Sequence, residues 1–238
     1  MTTDQLYRQL SSRINTQKVV KIPYGIDVDE FNPNAKSNIR EELGIGDNPL
    51  ILYVGHLYEE KGVKYLIKAA PSVLKKIPEA KFLIAWSGIG NQINEIKRLI
   101  NKLKLKGSFF ITGKREDIAG VFAASDVFVL PLVSGNHTLG HPVSILESLA
   151  CGTPVVSTRI QGVCEIIKDA ENGFLVHPSD YMELADRICK MLNDKGLRNK
   201  MGRNGREMVR NEFNWVYLSK EIMRVYEDIV TGGVVNGR

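Results

Sequence analysis

Cysteine, long apolar runs and an apolar leader are scarce or missing in this sequence. The three cysteines, Cys151, Cys164 and Cys189, form no close pair. Neither a disulfide framework nor a zinc cluster is therefore predicted, and we expect all three side chains to be buried. No apolar run reaches the roughly 18 residues that a membrane-spanning helix needs, and the first residues do not resemble a signal peptide. We expect a cytoplasmic protein.

The charge is moderate and not concentrated. The chain has 32 basic and 27 acidic residues, a formal net charge of +5, and 43% of its residues are hydrophobic. This composition is typical of a globular protein with a sizeable core. The basic residues do not interleave with aromatic ones as a nucleic-acid platform requires, so we expect no nucleic acid as partner. Anionic substrates or an anionic membrane surface would suit the charge.

From residue 50 onward, short β-rich runs alternate with amphipathic stretches. Six strands are predicted, at 49–55, 80–86, 108–113, 126–132, 154–158 and 173–178. Several are apolar at consecutive positions, which is typical of strands that helices cover on both faces. Four helices are predicted between them, at 62–78, 91–105, 115–125 and 142–150. The alternation predicts an α/β fold with a doubly wound parallel sheet.

The sequence divides into four predicted parts. Residues 1–48 form an N-terminal segment of the kind that links domains, with one short strand in 18–33 and a helix at 37–45 for which Ser37 is a candidate cap. Residues 49–178 form the α/β domain. Residues 179–230 form C-terminal helices, at 181–195, 197–213 and 215–230, and 231–238 form a flexible tail.

Ligands of such sheets bind beyond the carboxyl ends of the strands, so the loops there hold the candidate sites. In 55–62, Gly55 lets the backbone approach a ligand, and Lys61 either reaches a phosphate or is simply solvated. Gly88 starts a pattern like a dinucleotide fingerprint, but Ile93 occupies its third glycine position, which favours a tight turn. Gly113 ends a strand. Its position is equally consistent with a base or sugar lying against the backbone and with a plain turn.

The stretch 138–158 contains the most informative interruption of the apolar pattern. Pro142 suits the first helical position, and Gly140 and His141 form the bend before it. The amides of Val143 and Ser144 would then point forward as an anion site.

Glu147 lies one and a half turns into the same predicted helix. It falls on the less apolar face with Ser144, Ser148 and Cys151, while Val143, Leu146, Leu149 and Ala150 form the apolar face. It is either a surface acid near a helix N-terminus or an acceptor of two hydroxyl groups of a bound sugar.

Other patterns do not predict a site. Asp27 and Asp29 have the spacing of a metal-binding acid pair, but they lie in a Pro/Gly turn outside the alternation. His137 and His141 are four apart, yet Pro142 interrupts any helix that would cover both. No GxSxG elbow and no cysteine–histidine pairing suggests a covalent nucleophile. We predict no metal site.

Taken together, the motifs resemble the C-terminal, nucleotide-sugar-binding half of retaining GT-B glycosyltransferases of the family-4 type. The resemblance rests on their order and spacing: IPYGIDVDEFNP, ILYVGHLYEEKG, LIAWSGIGN, FFITGKRED, ASDVFVLP, LGHPVSILESLACGTPVVST, QGVCEII, NGFLVHP and DYMELADRI. It implies a Rossmann-like half of a GT-B fold. It also implies transfer of a hexose from a UDP or GDP sugar with retention, without metal or cofactor.

The resemblance also implies roles for individual residues. Lys61 matches the diphosphate-binding lysine, and Glu147 matches the glutamate that binds the donor ribose. Gly113 and Lys114 match the loop beside the base. The remaining donor-binding positions are Gly55, His56, Gly88 and the bend of Gly140, His141, Pro142, Val143 and Ser144.

Three departures from the family pattern leave alternatives open. His56 replaces an arginine, Leu139 replaces the first of two glutamates, and the N-terminal acceptor-binding half is missing. We expect this domain alone to be inactive in transfer. A degenerate nucleotide-sugar-binding or interaction module, or a nucleotide-sugar epimerase on the same fold, is the alternative. The apolar face of 215–230 predicts self-association, and peripheral membrane association of the whole enzyme is a further expectation.

Overall fold

A computed structural model describes residues 20–90, 92–134 and 140–231. Six parallel strands form one sheet in the order β3-β2-β1-β4-β5-β6. Their bounds are β1 Leu50–Leu57, β2 Lys81–Gly90, β3 Phe109–Thr112, β4 Val127–Leu130, β5 Val155–Thr158 and β6 Gly173–Val176. The order reverses between β1 and β4, which makes the sheet doubly wound. The predicted fold class and all six strands are confirmed.

The helices follow the predicted alternation. Their bounds are α1 Ile39–Glu42, α2 Val63–Lys76, α3 Ile93–Lys102, α4 Ile118–Ala123, α5 Val143–Ala150, α6 Val163–Ile166, α7 Tyr181–Asn193, α8 Lys195–Glu212 and α9 Trp215–Val230. A 3₁₀ helix, Glu59–Lys61, precedes α2. Helix α2 packs against α3 and α7, and α5 packs against α4 and α8. Two groups of helices therefore flank the sheet.

The middle of the sheet is largely buried. All four residues of β4 and of β5, and the first four of β1, are buried. Consecutive apolar residues are needed where helices cover both faces of a sheet, because both side-chain directions then point into the core. The consecutive apolar runs in the sequence thus have the predicted cause.

Two strands are longer than predicted, which alters one candidate loop. Strand β1 continues to Leu57 with a register shift after Gly55, and β2 continues to Gly90. Gly88 therefore lies within β2, with φ +84°, and not in a turn that opens a helix. The prediction of a turn there was wrong because β1 continues beyond Gly55 and its last residue, Leu57, pairs with Gly90.

The segment before β1 packs on the domain. Ile26, Val28, Phe31, Ile39 and Ile45 are buried in its core. From residue 20 onward, the predicted short strand is only an isolated bridge between Ile26 and Asn214. The N-cap of α1 is Asn38, one position after the predicted Ser37, although the hydroxyl of Ser37 does accept the N–H of Ile39, the first residue of the helix. The domain boundaries stay a prediction.

Surface exposure corrects one expectation about cysteine. Cys151 and Cys189 are buried, whereas Cys164 is exposed. Cys164 lies on α6, whose Val163 and Ile166 face the core, so the solvent-facing side of this short helix is left to it.

Helix α9 is apolar but mostly exposed. Leu218 is its buried residue, while Trp215, Val216, Tyr217, Met223, Tyr226, Ile229 and Val230 are exposed. Self-association through this face stays a prediction. None of the described helices has the length and apolar character needed to cross a membrane.

Candidate functional site

A cavity of about 470 Å³ lies at the carboxyl ends of β1 and β4. It gathers eight of the twelve predicted site residues: Gly55, His56, Lys61, Gly140, His141, Pro142, Val143 and Ser144. Among the described residues, Tyr24, Val54 and Leu130 also line it. The sheet order reverses between these two strands, and this is where open α/β sheets bind their ligands.

The start of α5 supplies hydrogen-bond donors to the cavity. Pro142 is the residue before the helix and not its first residue, so that prediction was one position off; its φ is −63° but its ψ is 109°. Its carbonyl accepts the N–H of Ile145 at 3.0 Å. Within the described parts of the chain, the N–H groups of Val143 and Ser144 have no hydrogen-bond acceptor. Two free amides and the positive end of the helix dipole thus meet the cavity.

Lys61 reaches the same cavity from the loop after β1. It ends the 3₁₀ helix, where its N–H bonds the carbonyl of Tyr58 at 3.1 Å. Its side chain is partly buried, and desolvation lowers the pKa of its ammonium, against an opposing effect of Glu60. Over the described ranges no carboxylate lies within ion-pair distance of its ammonium. A partly desolvated cation without a paired acid is suited to an anionic ligand.

The loop that carries Lys61 is fixed to the chain after β4. Gly62 has φ +70°, and a Cβ there would lie 1.8 Å from the carbonyl oxygen of Pro131. The N–H of Val133 also donates to the carbonyl of Glu60 at 2.9 Å. This close backbone approach holds Lys61 in a constant position relative to the strand that leads to α5.

The two histidines of the cavity have different settings. The side chain of His141 is buried, with Nε2 3.1 Å from Glu165 Oε2 and its ring edge-on to Phe213 at 5.5 Å. The imidazole of His141 therefore packs on the interior side of the bend at 140–142. The ring of His56 is only partly buried and lies edge-on to that of Tyr58. The carbonyl of His56 accepts the hydroxyl of buried Tyr53 at 2.8 Å, which fixes the end of β1.

Glu147 is not on an exposed polar face, and the predicted division of α5 into two faces was wrong. Ser148 and Cys151 are buried, whereas Val143 is 40% exposed. Helix α8 covers the outer side of α5, so most of this helix is inside the protein. Burial raises the pKa of Glu147 to about 7, with the charge of Glu30 as a second cause. No hydrogen bond to its carboxylate is found in 20–90, 92–134 or 140–231.

The four other predicted residues do not line this cavity. Gly113 and Lys114 are exposed directly after β3, Gly88 is in β2, and Glu147 lies deeper along α5. Leu139 and His137 are outside the described residues. Asp27 accepts the N–H groups of Asp29 and Glu30, both at 3.0 Å, so its carboxylate closes a turn. Among the residues described, no cluster of three His, Cys, Asp or Glu side chains could hold a metal ion.

Sequence reasoning missed Tyr24 as part of the cavity wall. It precedes Gly25 in a segment read as a linker, about 30 positions before the loop after β1. The sequence PYGID indicates only a defined turn there. No local pattern predicts that this segment lies against the cavity.

The raised pKa of Glu147 gives a pH-dependent prediction. Its folded pKa of about 7 lies above its ordinary value of 4.5. The protonated carboxyl group of Glu147 therefore makes its full contribution to the free energy of unfolding below about pH 4.5. This contribution is lost as pH rises through about 7. We expect Glu147→Gln to match the unchanged protein in free energy of unfolding at pH 4.5. At pH 8 the variant should be more stable, by on the order of 2 kcal/mol. Urea unfolding at both pH values measures this, and a difference that does not vary with pH would contradict it.

Comparison with known proteins agrees with the geometry. The family model of glycosyl transferases group 1 matches residues 35–208. An uncharacterized glycosyltransferase of Methanocaldococcus jannaschii is 32% identical over 231 residues, covering 93% of this chain and 57% of that protein. The Escherichia coli UDP-Gal:alpha-D-GlcNAc-diphosphoundecaprenol alpha-1,3-galactosyltransferase is 31% identical over 223 residues, covering 91% and 56%. The chain thus spans a little over half the length of these relatives.

Solved structures show the same architecture. A glycosyltransferase from Rickettsia africae superposes with a TM-score of 0.86 at 25% identity, covering 96% of this chain and 62% of that one. Anabaena HepE, solved in complex with UDP-glucose, gives 0.82 at 23% identity, covering 92% and 60%. The predicted resemblance is confirmed: this chain belongs to the glycosyl transferases group 1 family and has the Rossmann-like α/β architecture of GT-B glycosyltransferases.

Proposed function

We propose that this chain is the donor-binding half of a hexosyltransferase, and that its cavity holds the diphosphate of a nucleoside-diphosphate sugar. One observation carries the proposal. Two unpaired backbone amides of α5 and the partly buried ammonium of Lys61 converge on one cavity where the sheet order reverses. A diphosphate offers the negative oxygens that such donors bind.

The same groups would act in the chemical step. When the bond between the sugar and the diphosphate breaks, negative charge builds up on the leaving phosphate. Donors that are already in place stabilise this charge more than they stabilise the intact donor, which lowers the barrier. Lys61 and the amides of Val143 and Ser144 supply such donors from the protein. Retention of configuration and independence from metal and cofactor are part of the proposal.

The nucleoside would extend from the diphosphate along the carboxyl edge of the sheet. Gly113 and Lys114 are exposed after β3 and are proposed to face the base. Glu147 is proposed to accept the ribose hydroxyl groups, since its carboxylate lacks a hydrogen bond in the described structure and is costly to bury alone. Gly88 in β2 leaves open space, with no atom of the described chain within 4 Å of a Cβ there.

The acceptor is proposed to bind the half of the protein that longer relatives have and this chain does not include. The isolated chain would then bind the donor without transferring its sugar. We also propose a cytoplasmic location, peripheral membrane association of the whole enzyme and self-association through α9.

A second candidate is a degenerate module that binds nucleotide sugars without transferring them. His56 favours it, because this residue lines the cavity where the family pattern has an arginine. An imidazole lacks the forked donors with which a guanidinium binds a diphosphate.

A melting-temperature screen tests the proposed donor site. The 238-residue chain is heated alone and with UDP, GDP and ADP, each free and linked to a hexose. A ligand at 100 times its dissociation constant adds about 2.7 kcal/mol to the free energy of unfolding. For a chain of this size that corresponds to a rise of about 5–10 °C. If none of these ligands shifts the melting temperature, the chain has no donor site and the proposal fails.

A further inference from the structure

Tyr24 is an aromatic residue of the cavity wall to which the proposed function gives no role. Its side chain is 47% exposed and borders the same cavity as His56 and Lys61. In the described structure its hydroxyl group makes no hydrogen bond. A phenol in this setting has a donor and an acceptor available to a ligand.

The backbone on either side of Tyr24 is held firmly. Gly25 lies flat against the indole of Trp215, since a Cβ at Gly25 would come within 2.4 Å of that ring. The N–H of Ile26 donates to the carbonyl of Phe213 at 2.6 Å, and the N–H of Trp215 donates to the carbonyl of Ile26 at 3.2 Å. Tyr24 is therefore fixed to the turn between α8 and α9, and a side chain held in this way can position a ligand.

The segment approaches the cavity from the β5 side. Lys21 pairs with Glu165 of α6, the helix that follows β5, at 3.3 Å. Glu165 also contacts His141, whose ring packs on Phe213. The loop proposed to face the base follows β3, on the other side of β1 and β4 in the sheet order. With the diphosphate at the start of α5, Tyr24 lies beyond it, away from the base.

We infer that the Tyr24 hydroxyl hydrogen-bonds the hexose of the donor, and so helps to select and position the sugar that is transferred. This rests on the proposed donor site. It assigns to Tyr24 the part of the ligand that a free nucleoside diphosphate lacks. Tyr24 should therefore affect sugar nucleotides and leave nucleoside diphosphates unaffected.

Calorimetric titration of Tyr24→Phe separates these two effects. The 238-residue variant is titrated with UDP and UDP-glucose, with GDP and GDP-mannose, and with ADP and ADP-glucose. Loss of one hydrogen bond should weaken binding of the preferred sugar nucleotide about five- to tenfold. Binding of the matching diphosphate should stay within about twofold. Tyr181→Phe is the matched control, because Tyr181 is similarly exposed and does not line the cavity.

The outcomes are distinguishable. If Tyr24→Phe binds every ligand as the unchanged chain does, or weakens the diphosphate as much as the sugar nucleotide, the inference about the hexose is wrong while the donor site stands. If the unchanged chain binds none of these six ligands, the donor site itself is wrong and the inference falls with it.

Discussion

Lys61→Ala is expected to raise the dissociation constant for UDP or GDP by about 10- to 100-fold. A hydrogen bond from a charged group contributes about 1.5–3 kcal/mol, and 1.4 kcal/mol corresponds to a factor of ten. Lys61 should fall in this range because its ammonium is already partly desolvated and has no carboxylate within ion-pair distance in the described chain. Isothermal titration calorimetry of the variant gives the value directly.

Lys68→Ala is the matched control for this substitution. Lys68 lies on α2, the helix that follows the Lys61 loop, and it is exposed and remote from the lining of the cavity. The Lys68→Ala substitution removes the same charge from the same region of the chain. Equal dissociation constants for the two variants would mean that Lys61 acts only through net charge and does not bind the diphosphate.

Gly62→Ala is expected to lower the free energy of unfolding by about 3 kcal/mol. The backbone there has φ +70°, which costs a residue with a Cβ about 1 kcal/mol. The added Cβ would also lie 1.8 Å from the carbonyl oxygen of Pro131, and such overpacking typically costs about 1–3 kcal/mol more. The melting temperature should fall by about 6–12 °C. Nucleotide binding should weaken as well, because the neighbouring Lys61 must move.

Gly44→Ala separates the two causes. Gly44 has φ +62°, nearly the same conformation, but no atom of the described residues lies within 4 Å of a Cβ placed there. Only the backbone cost of about 1 kcal/mol should remain. If the two alanine variants melt at the same temperature, the close approach of Gly62 to the chain after β4 contributes nothing to stability.

The strands were predictable because their composition directly reflects burial. Consecutive apolar residues at Leu50 to Tyr53 and at Val127 to Leu130 occur only where both faces of a strand are covered. The strand ends were less predictable. Residues 87–90 continue β2 because of backbone pairing with β1, and such pairing depends on a neighbour that the local sequence does not specify.

The candidate site was predictable where the residue types within a single loop already indicate ligand binding. The bend before α5 and the loop of Lys61 each contain glycine, proline or lysine at a strand end, and the structure brings them together. The burial of Glu147 was harder to predict. Helical spacing identifies the apolar face of α5 but does not show that another helix, α8, covers its other side. Tyr24 was missed because its position depends on contact with Trp215, about 190 residues further along the chain.

The most direct test is a crystal structure of the chain with bound UDP or GDP. The diphosphate oxygens should lie about 2.7–3.2 Å from the amide nitrogens of Val143 and Ser144 and within the same reach of Lys61 Nζ. The competing position is a larger cavity of about 820 Å³, lined by Lys195, Arg198 and Arg203. Its lining also includes Asp126 and Pro154, directly before β4 and β5, at the opposite edge of the sheet. A nucleotide bound there, with the amides of α5 left empty, would contradict the assignment of the donor site.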